Sequence, residues 1–250
     1  MMQTLRRIAL ICLALWCGLT ALAQGVTGLP KGGSDSLVRR THKGYAVAYD
    51  TSKLCPVWVA WQLTASRLTK DAERNNKFKQ ESDLKHCTAT HADYTKSGYD
   101  RGHMCPAADN AWSAMAMTES FFTTNICPQL PRLNRGTWKT LEEEMRRKTL
   151  AGDTLFIVCG PIFNPKFTHA KIGQNGVSVP ESFYKVVYYR HKGKSGAVGF
   201  IFSNLQDKSL EPRHVTVDLV ERVTGLDFFP NLPDDEEQQV EGQIDRRLFH

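Results

Sequence analysis

The residues best suited to chemistry in this chain are a histidine beside an arginine, within positions 100–103 (Asp-Arg-Gly-His), and an asparagine further along, Asn134. Unprotonated His103 can accept a proton from water near neutral pH. Arg101 offers a planar set of donors that suits phosphate oxygens. The side-chain oxygen of Asn134 is a ligand that Mg²⁺ accepts while it keeps several waters. A base, a cation and a metal ligand together predict cleavage of a phosphodiester.

Each of these residues also has a structural interpretation. A single histidine is more often a packed or surface residue than a catalyst. Gly102 favours the catalytic interpretation, because it is expected to form a tight turn that would expose His103. Asp100 and Arg101 could form a local ion pair that braces the loop, and for Asp100 we favour this role. Asn134 could cap the helix that follows it, which would compete with metal binding for the same oxygen.

Glu142 is a further candidate whose role depends on the helix. If Asn134 and Glu142 lie on one continuous helix, about 12 Å separates them along its axis, from a rise of about 1.5 Å per residue. Glu142 is then expected to orient metal-bound water, or to pair with Arg146 one turn later, rather than to bind the ion itself.

The elements that must position these residues can be predicted from periodicity and composition. Strands are predicted over 45–49, 57–61, 155–159, 182–189 and 197–203, and helices over 113–122, 137–150, 215–223 and from 236. A long polar loop is expected over 67–98, and a mobile lead-in over 24–40. Because strands and helices are intermixed without βαβ regularity, we expect an α+β fold, with a central antiparallel sheet flanked by helices.

The first 23 residues are predicted to be a signal peptide, because two arginines precede an apolar stretch and the small-residue segment 21–23. We therefore expect export to the periplasm or beyond, and one domain over residues 24–250. The apolar stretch is too short for a confident membrane span, so none is expected after cleavage. Without the two arginines of the predicted signal peptide, the formal net charge falls from +6 to +4, which only mildly favours polyanionic partners.

Five cysteines follow the predicted signal peptide, and an exported chain can oxidise them. Cys105 lies two residues after His103, and Cys127 lies in the asparagine-containing segment 125–134. We expect a disulfide between Cys105 and Cys127, which would fasten the two candidate segments together.

Two sequence blocks resemble the DNA/RNA non-specific endonuclease family, which includes endonuclease G and secreted bacterial nucleases of the ββα-metal (His-Me finger) fold. The first block is residues 100–110 (DRGHMCPAADN). The second is residues 124–129 (TNICPQ) with residues 133–142 (LNRGTWKTLE). The resemblance extends from about residue 45 to about residue 241.

The resemblance implies a role for each candidate. His103 would be the general base, Asn134 the sole direct protein ligand of Mg²⁺, with Mn²⁺ as an alternative ion, and Glu142 would hold the water shell of the metal. Arg101 would place or stabilise the phosphate. A loop arginine is also implied, and Arg74 matches it best.

Two other arginines and the function itself are the subject of further expectations. If Arg74 is not the loop arginine, Arg67 is the alternative, and Arg135 is expected to bind substrate. The function implied is a metal-dependent endonuclease that cuts DNA and RNA with little sequence specificity, in a chain that could be a homodimer. The alternatives are a phosphodiesterase for small substrates and a non-catalytic nucleic-acid-binding protein.

Overall fold

A computed structural model describes residues 27–206, 209 and 211–245, so the predicted signal peptide lies outside the described residues. The strands are β1 (Lys31–Gly32), β2 (Val38–Thr41), β3 (Ala46–Asp50), β4 (Cys55–Leu63), β5 (Asp100–His103), β6 (Ile126–Gln129), β7 (Thr154–Ile162), β8 (Lys171–Ile172), β9 (Val177–Ser178), β10 (Ser182–His191), β11 (Lys194–Ser203), β12 (Arg213–Val215) and β13 (Leu226–Asp227). The helices are α1 (Ala114–Ser120), α2 (Pro131–Asn134), α3 (Thr137–Leu150), α4 (Val217–Thr224) and α5 (Asp234–Glu241).

A seven-stranded antiparallel sheet in the order β12-β11-β10-β7-β4-β3-β2 forms the centre of the fold. Strands β7 and β10 are buried on both faces, which explains why their sequences are almost continuously apolar. The predicted α+β fold with a central antiparallel sheet flanked by helices is confirmed. None of the described helices is long and apolar enough to cross a membrane.

The sheet separates two cores, because successive side chains of a strand point to opposite faces. Ile157 and Cys159 of β7 pack in the same core as α3, whereas Phe156 and Val158 pack in the core that contains α4 and α5. The fold therefore has three layers, with α3 on one face of the sheet and α4 and α5 on the other.

A smaller antiparallel pair carries the two candidate segments. In this pair β5 lies beside β6, with His103 opposite Ile126, and α2 and α3 follow β6 directly. The long connection from β5 to β6 contains α1. This ββα arrangement brings the histidine segment and the asparagine segment together.

Helix α3 spans the predicted residues, and its stripe of Trp138, Leu141 and Met145 is buried. It does not begin at Asn134, however, as one of our interpretations required. Asn134 is the last residue of the separate helix α2. Gly136 has a non-helical backbone conformation, with φ −105° and ψ −119°, and it separates the two helices. Asn134 and Glu142 therefore do not lie on one continuous helix, so the axial separation of about 12 Å, which depended on that condition, does not apply.

Two other predicted boundaries also differ. Part of the expected mobile lead-in is ordered, because β1 pairs with β13 and β2 forms an edge of the main sheet. The edge position explains its polar sequence, since charged side chains are common on edge strands. Helix α4 begins at Val217 rather than at Val215, because Thr216 accepts a hydrogen bond from the backbone of Leu219 and caps the helix.

The predicted Cys105–Cys127 disulfide is wrong, because both residues are free thiols. The Cys105 sulfur accepts a hydrogen bond from the Asn110 amide at 3.2 Å. The thiol of Cys127 instead contacts that of Cys55 on β4. The two segments are joined by hydrogen bonds, among them one of 2.9 Å from the Cys105 backbone N–H to Oδ1 of Asn125.

Candidate active site

The predicted site residues lie around one cleft of about 380 Å³, between the 67–98 loop, strand β5 and helix α3. The predicted members that line it are Arg74, Arg101, His103, Asn134, Arg135 and Glu142. Residues more than 60 positions apart in the chain therefore share one surface, as the chemical interpretation requires.

His103 is the last residue of β5, and its ring is held between two aromatic side chains. The ring of Phe121 meets it edge-on at a centroid distance of 4.9 Å, and Phe78 lies 5.4 Å away on another side. Its Nε2 atom is buried and has no hydrogen-bond partner among the described residues. Burial, and secondly the guanidinium of Arg74, lower the pKa of His103 to about 3. The imidazole is therefore unprotonated at neutral pH, so its ring nitrogen keeps the lone pair that a general base uses.

Gly102 serves packing rather than a turn. It lies within strand β5, and a Cβ atom there would collide with the side chain of Gln129, which is fully buried. The prediction that Gly102 forms a tight turn is wrong. Position 102 requires glycine for a steric reason, the lack of space for a Cβ atom beside Gln129.

We expect Gly102→Ala to lower the free energy of unfolding by about 1–3 kcal/mol, as overpacking of a buried site usually does. Chemical denaturation of the wild type, Gly102→Ala, Gln129→Ala and the double variant would measure it. The double variant should lose less stability than the two single losses added together, because the collision is then absent. Additive losses would show that the two positions do not interact.

Asn134 is oriented by Asp100. The Asn134 Nδ2 donates a hydrogen bond of 2.9 Å to Asp100 Oδ2, so the Oδ1 atom points away from that carboxylate. Asp100 also accepts a pair of hydrogen bonds from the Arg135 guanidinium, at 2.8 and 2.6 Å. Although burial opposes it, these bonds from Arg135 and Asn134 lower the pKa of Asp100. The ionic partner of Asp100 is thus Arg135, not Arg101, and the Asn134 oxygen is not used as a helix cap.

Glu142 lines the same cleft as Asn134, which the break at Gly136 allows. The predicted pairing of Glu142 with Arg146 is wrong, because the Arg146 guanidinium binds Asp109 at 2.9 Å. Burial raises the pKa of Glu142 to about 7. The ammonium group of Lys185 lowers this pKa, but its effect is smaller. Glu142 therefore changes charge in the neutral pH range.

Lys185 lies beneath Glu142 and is a residue that sequence reasoning missed. Its side chain on β10 is fully buried, and its Nζ lies 3.9 Å from Glu142 Oε1 and 4.0 Å from the centre of the Trp138 ring. Nζ has no hydrogen-bond partner among the described residues. A lysine within the otherwise apolar run of residues 183–189 was the available signal.

The loop arginine beside His103 is Arg74 rather than Arg67. Arg74 lines the cleft, and its guanidinium carbon lies 5.2 Å from the ring centre of Phe121. Arg67 instead donates to the backbone oxygens of Gly44 and Gln62, at 3.1 and 2.9 Å, and does not line the cleft.

Arg101 is held at the edge of the cleft by the 67–98 loop. Its Nη2 donates to the backbone oxygen of His91 at 2.8 Å, and its guanidinium lies over the rings of Phe78 and Tyr94. Nη2 is thus used and Nε is buried, so Nη1 is the guanidinium nitrogen that remains for an anion.

Cationic side chains predominate in the lining of the cleft, although Arg135, Lys139 and Arg146 form ion pairs with Asp100, Glu143 and Asp109. Five cationic side chains line it, namely those of Arg74, Arg101, Arg135, Lys139 and Arg146, and the one carboxylate among its described lining residues is that of Glu142. Such a concentration of one charge attracts an anionic ligand. A neutral imidazole beside this surface is placed to accept a proton from a water molecule that attacks a phosphate ester.

Residues 26–235 match the model of the DNA/RNA non-specific endonuclease family. The chain belongs to this family. Membership confirms the resemblance read from positions 100–110 and 124–142, and it implies a divalent metal ion, as in other ββα-metal nucleases.

Several relatives and one solved structure support the membership. The chain is 33% identical to human mitochondrial endonuclease G over 207 residues, which is 77% of this chain and 70% of that protein. It is 35% identical to mitochondrial nuclease EXOG of Xenopus laevis over 224 residues (83% and 62%) and to a nuclease of Nostoc sp. over 214 residues (80% and 76%). The crystal structure of an EndoG/EndoGI complex matches with a TM-score of 0.73 and 30% identity, over 83% of this chain and 90% of that one.

The residues of this family member fit a hard divalent cation. Asn134 offers an oriented neutral oxygen, and the Glu142 carboxylate adds negative charge in the same cleft. Mg²⁺ binds oxygen ligands, retains waters and is often completed by substrate phosphates, so few protein ligands suffice.

A buried ion pair supports the rim of the endonuclease cleft, and the sequence did not reveal it. Asp109 is 4% exposed, binds Arg146 and accepts a hydrogen bond of 3.1 Å from the Trp61 indole. It fixes Arg146 where that side chain lines the cleft. Asp109 belongs to the block that carries the family resemblance, which was the available signal.

Proposed function

We propose that this chain is an exported, Mg²⁺-dependent endonuclease that hydrolyses phosphodiester bonds in DNA and RNA with little sequence specificity. The observation that carries the proposal is the neutral His103 in a cleft lined by five cationic side chains. A general base needs its proton-accepting form at the working pH, and a phosphodiester needs positive charge around its oxygens.

In the proposed reaction, Arg101 and Arg74 bind the non-bridging oxygens of the phosphate. His103 accepts a proton from the attacking water as the new P–O bond forms in line with the bond that breaks. The 3′ oxygen leaves and takes a proton from solvent water, and His103 returns its proton to solvent, so the products carry a 5′-phosphate and a 3′-hydroxyl. Asp100 keeps Asn134 oriented throughout, through the hydrogen bond of 2.9 Å.

Asn134 Oδ1 would hold the divalent ion, with Glu142 beside it. Bound there, the ion supplies positive charge that stabilises negative charge on the reacting phosphate oxygens. We expect Asn134→Ala to require at least about tenfold more Mg²⁺ for half-maximal cleavage, since losing even a supporting group costs 10- to 100-fold in metal affinity. A Mg²⁺ titration of plasmid cleavage measures this. An unchanged requirement would exclude Asn134 as the ligand.

The low sequence specificity follows from what the cleft can contact. Guanidinium groups suit the phosphate, which is the same at every position of the strand and carries no sequence information. No step requires a 2′-hydroxyl, so both DNA and RNA are substrates. Because binding depends on arginine and lysine, it should weaken steeply as salt is raised.

The direct test is cleavage of supercoiled plasmid, single-stranded RNA and a dinucleotide by the mature protein, with Mg²⁺ and with EDTA. The expected result is internal cleavage of plasmid and RNA that EDTA abolishes. Cleavage of the dinucleotide alone would favour the small-substrate phosphodiesterase. Binding of nucleic acid without any cleavage would favour the non-catalytic alternative.

Export and assembly are part of the proposal. The signal-like residues 1–23 support cleavage after Ala23, one domain over the rest of the chain, and release to the periplasm or the medium. Mass spectrometry of the secreted protein would give the mature N-terminus. The family resemblance supports a homodimer, which light scattering would test.

A further inference from the structure

A cluster of carboxylates lies on the face of the sheet opposite the cleft, between α4 and α5. Asp218 and Glu221 are three residues apart on α4, so they share one face of that helix. Glu241 is the last residue of α5. One carboxylate oxygen from each of the three lies within 4.8 Å of the others.

This spacing suits a single ion. Calcium binds oxygens at 2.3–2.6 Å, so two of its ligands can be no more than about 5 Å apart. Glu221 is held in place, because its Oε1 accepts a hydrogen bond of 2.8 Å from the backbone of Phe228. This hydrogen bond orients the Glu221 carboxylate and does not involve its other oxygen, Oε2.

Glu241 is the observation that distinguishes this cluster from an ordinary acidic surface. Its residue is 6% exposed, and its Oε1 atom is buried without a hydrogen-bond partner among the described residues. A buried carboxylate without a partner is costly. It therefore points to a missing ligand of positive charge.

Among the described residues, the surroundings contain further negative charge, which Lys31 offsets in part through an ion pair of 4.0 Å with Asp227. None of the carboxylates of Asp218, Glu221 and Glu241 forms an ion pair with another described residue, while Asp227 and Glu237 face the same region. Burial and these four neighbouring carboxylates raise the pKa of Glu241 to about 9.

We propose that Asp218, Glu221 and Glu241 form a calcium site, separate from the active-site cleft, that joins α4 to α5. The ligands are all oxygen, with no histidine or cysteine, which favours a hard cation over zinc or copper. Calcium is favoured over magnesium because it accepts irregular geometry and several carboxylates, whereas magnesium usually keeps its waters.

The site would fasten the C-terminal helix to the sheet. Helix α5 already contacts the sheet through Glu236, which accepts hydrogen bonds of 2.6 Å from Tyr188 and 2.7 Å from Ser195. Calcium at the other end of α5 would hold Glu241 against α4. Affinities of about 10⁻⁴–10⁻³ M are typical of extracellular calcium modules, which fits an exported chain.

The test is thermal unfolding of the chelator-treated mature protein at pH 7.5, with and without Ca²⁺ or Mg²⁺. At saturating Ca²⁺ the Tm of the wild type should rise by about 5–10 °C, as expected for a ligand near 100 times its Kd on a domain of this size. Asn134→Ala should keep the full rise, which separates this site from the cleft.

Glu241→Gln should lose the calcium-dependent rise while retaining Mg²⁺-dependent nuclease activity. Without calcium it should be about as stable as the wild type at pH 7.5, because glutamine resembles the protonated carboxyl that the raised pKa of Glu241 favours at this pH. Asp235→Asn is the matched control, an exposed acid on the same helix, and should behave like the wild type. The proposal is overturned if calcium does not raise the wild-type Tm, or if Glu241→Gln shows the same rise.

Discussion

His103→Ala is expected to lower kcat for plasmid cleavage by about 10²- to 10⁴-fold, the usual contribution of a general base. KM should change little, because the cationic side chains that bind the phosphate remain in place. His86→Ala is the matched control, since His86 is an exposed histidine outside the cleft. Steady-state kinetics at saturating Mg²⁺ would measure the difference.

The same variant allows a chemical test of the role of the ring. Alanine leaves a space beside Phe78 and Phe121, which contact the imidazole in the wild type. Added imidazole should enter that space and restore part of the activity, which a purely structural histidine would not predict. Wild-type activity in His103→Ala would disprove its role as the base. A melting curve should accompany the assay, because the variant also loses ring contacts.

Lys185→Met is expected to shift the acid side of the pH–activity profile to higher pH by about 1–3 units, the effect of removing a charge this close to a carboxylate. In the wild type, kcat/KM at subsaturating Mg²⁺ should fall as pH drops through about 7, where Glu142 takes up a proton. His103 does not cause this fall, because its pKa is about 3. Methionine preserves the packing against Trp138 but removes the charge.

The variant should thus be much less active than the wild type at pH 7 and approach it at pH 9. Glu142→Gln should be weakly active at both values, because glutamine cannot regain the charge. Lys194→Met, an exposed lysine on the neighbouring strand, is the matched control. A uniform loss at all pH values in Lys185→Met would indicate a folding defect and contradict the proposed role.

The direction of the accompanying stability change can also be stated. The raised pKa of Glu142 means that the folded metal-free protein favours its protonated form. The contribution of Glu142 to the free energy of unfolding is fully present below the ordinary glutamate pKa. It is lost as the pH rises through about 7. Mg²⁺ should therefore stabilise the wild type more at pH 8 than at pH 5.

Much of the fold was predictable because its signals are local. The stripe of Trp138, Leu141 and Met145 predicted α3, and the apolar runs predicted β7, β10 and β11. The break at Gly136 was missed, because one glycine before a strong helical pattern is compatible with either a cap or a continuous helix.

Side-chain pairing was less predictable, since it depends on which faces the sheet brings together. Cys105 and Cys127 belong to the same core, but their thiols contact Asn110 and Cys55 instead of each other. Asp100 similarly pairs with Arg135, from another element, rather than with its neighbour Arg101.

The sequence by itself identified the candidate residues of the site, because the spacing of His103 and Asn134 within two family blocks predicts a base and a metal ligand. Only the tertiary structure decided the pKa values of the titratable residues in the site. The pKa of His103 depends on burial and on Arg74, and that of Glu142 depends on burial and on Lys185, which lies 43 positions away on β10. Desolvation and through-space charge depend on distance in the fold, and no local pattern in the chain encodes that distance.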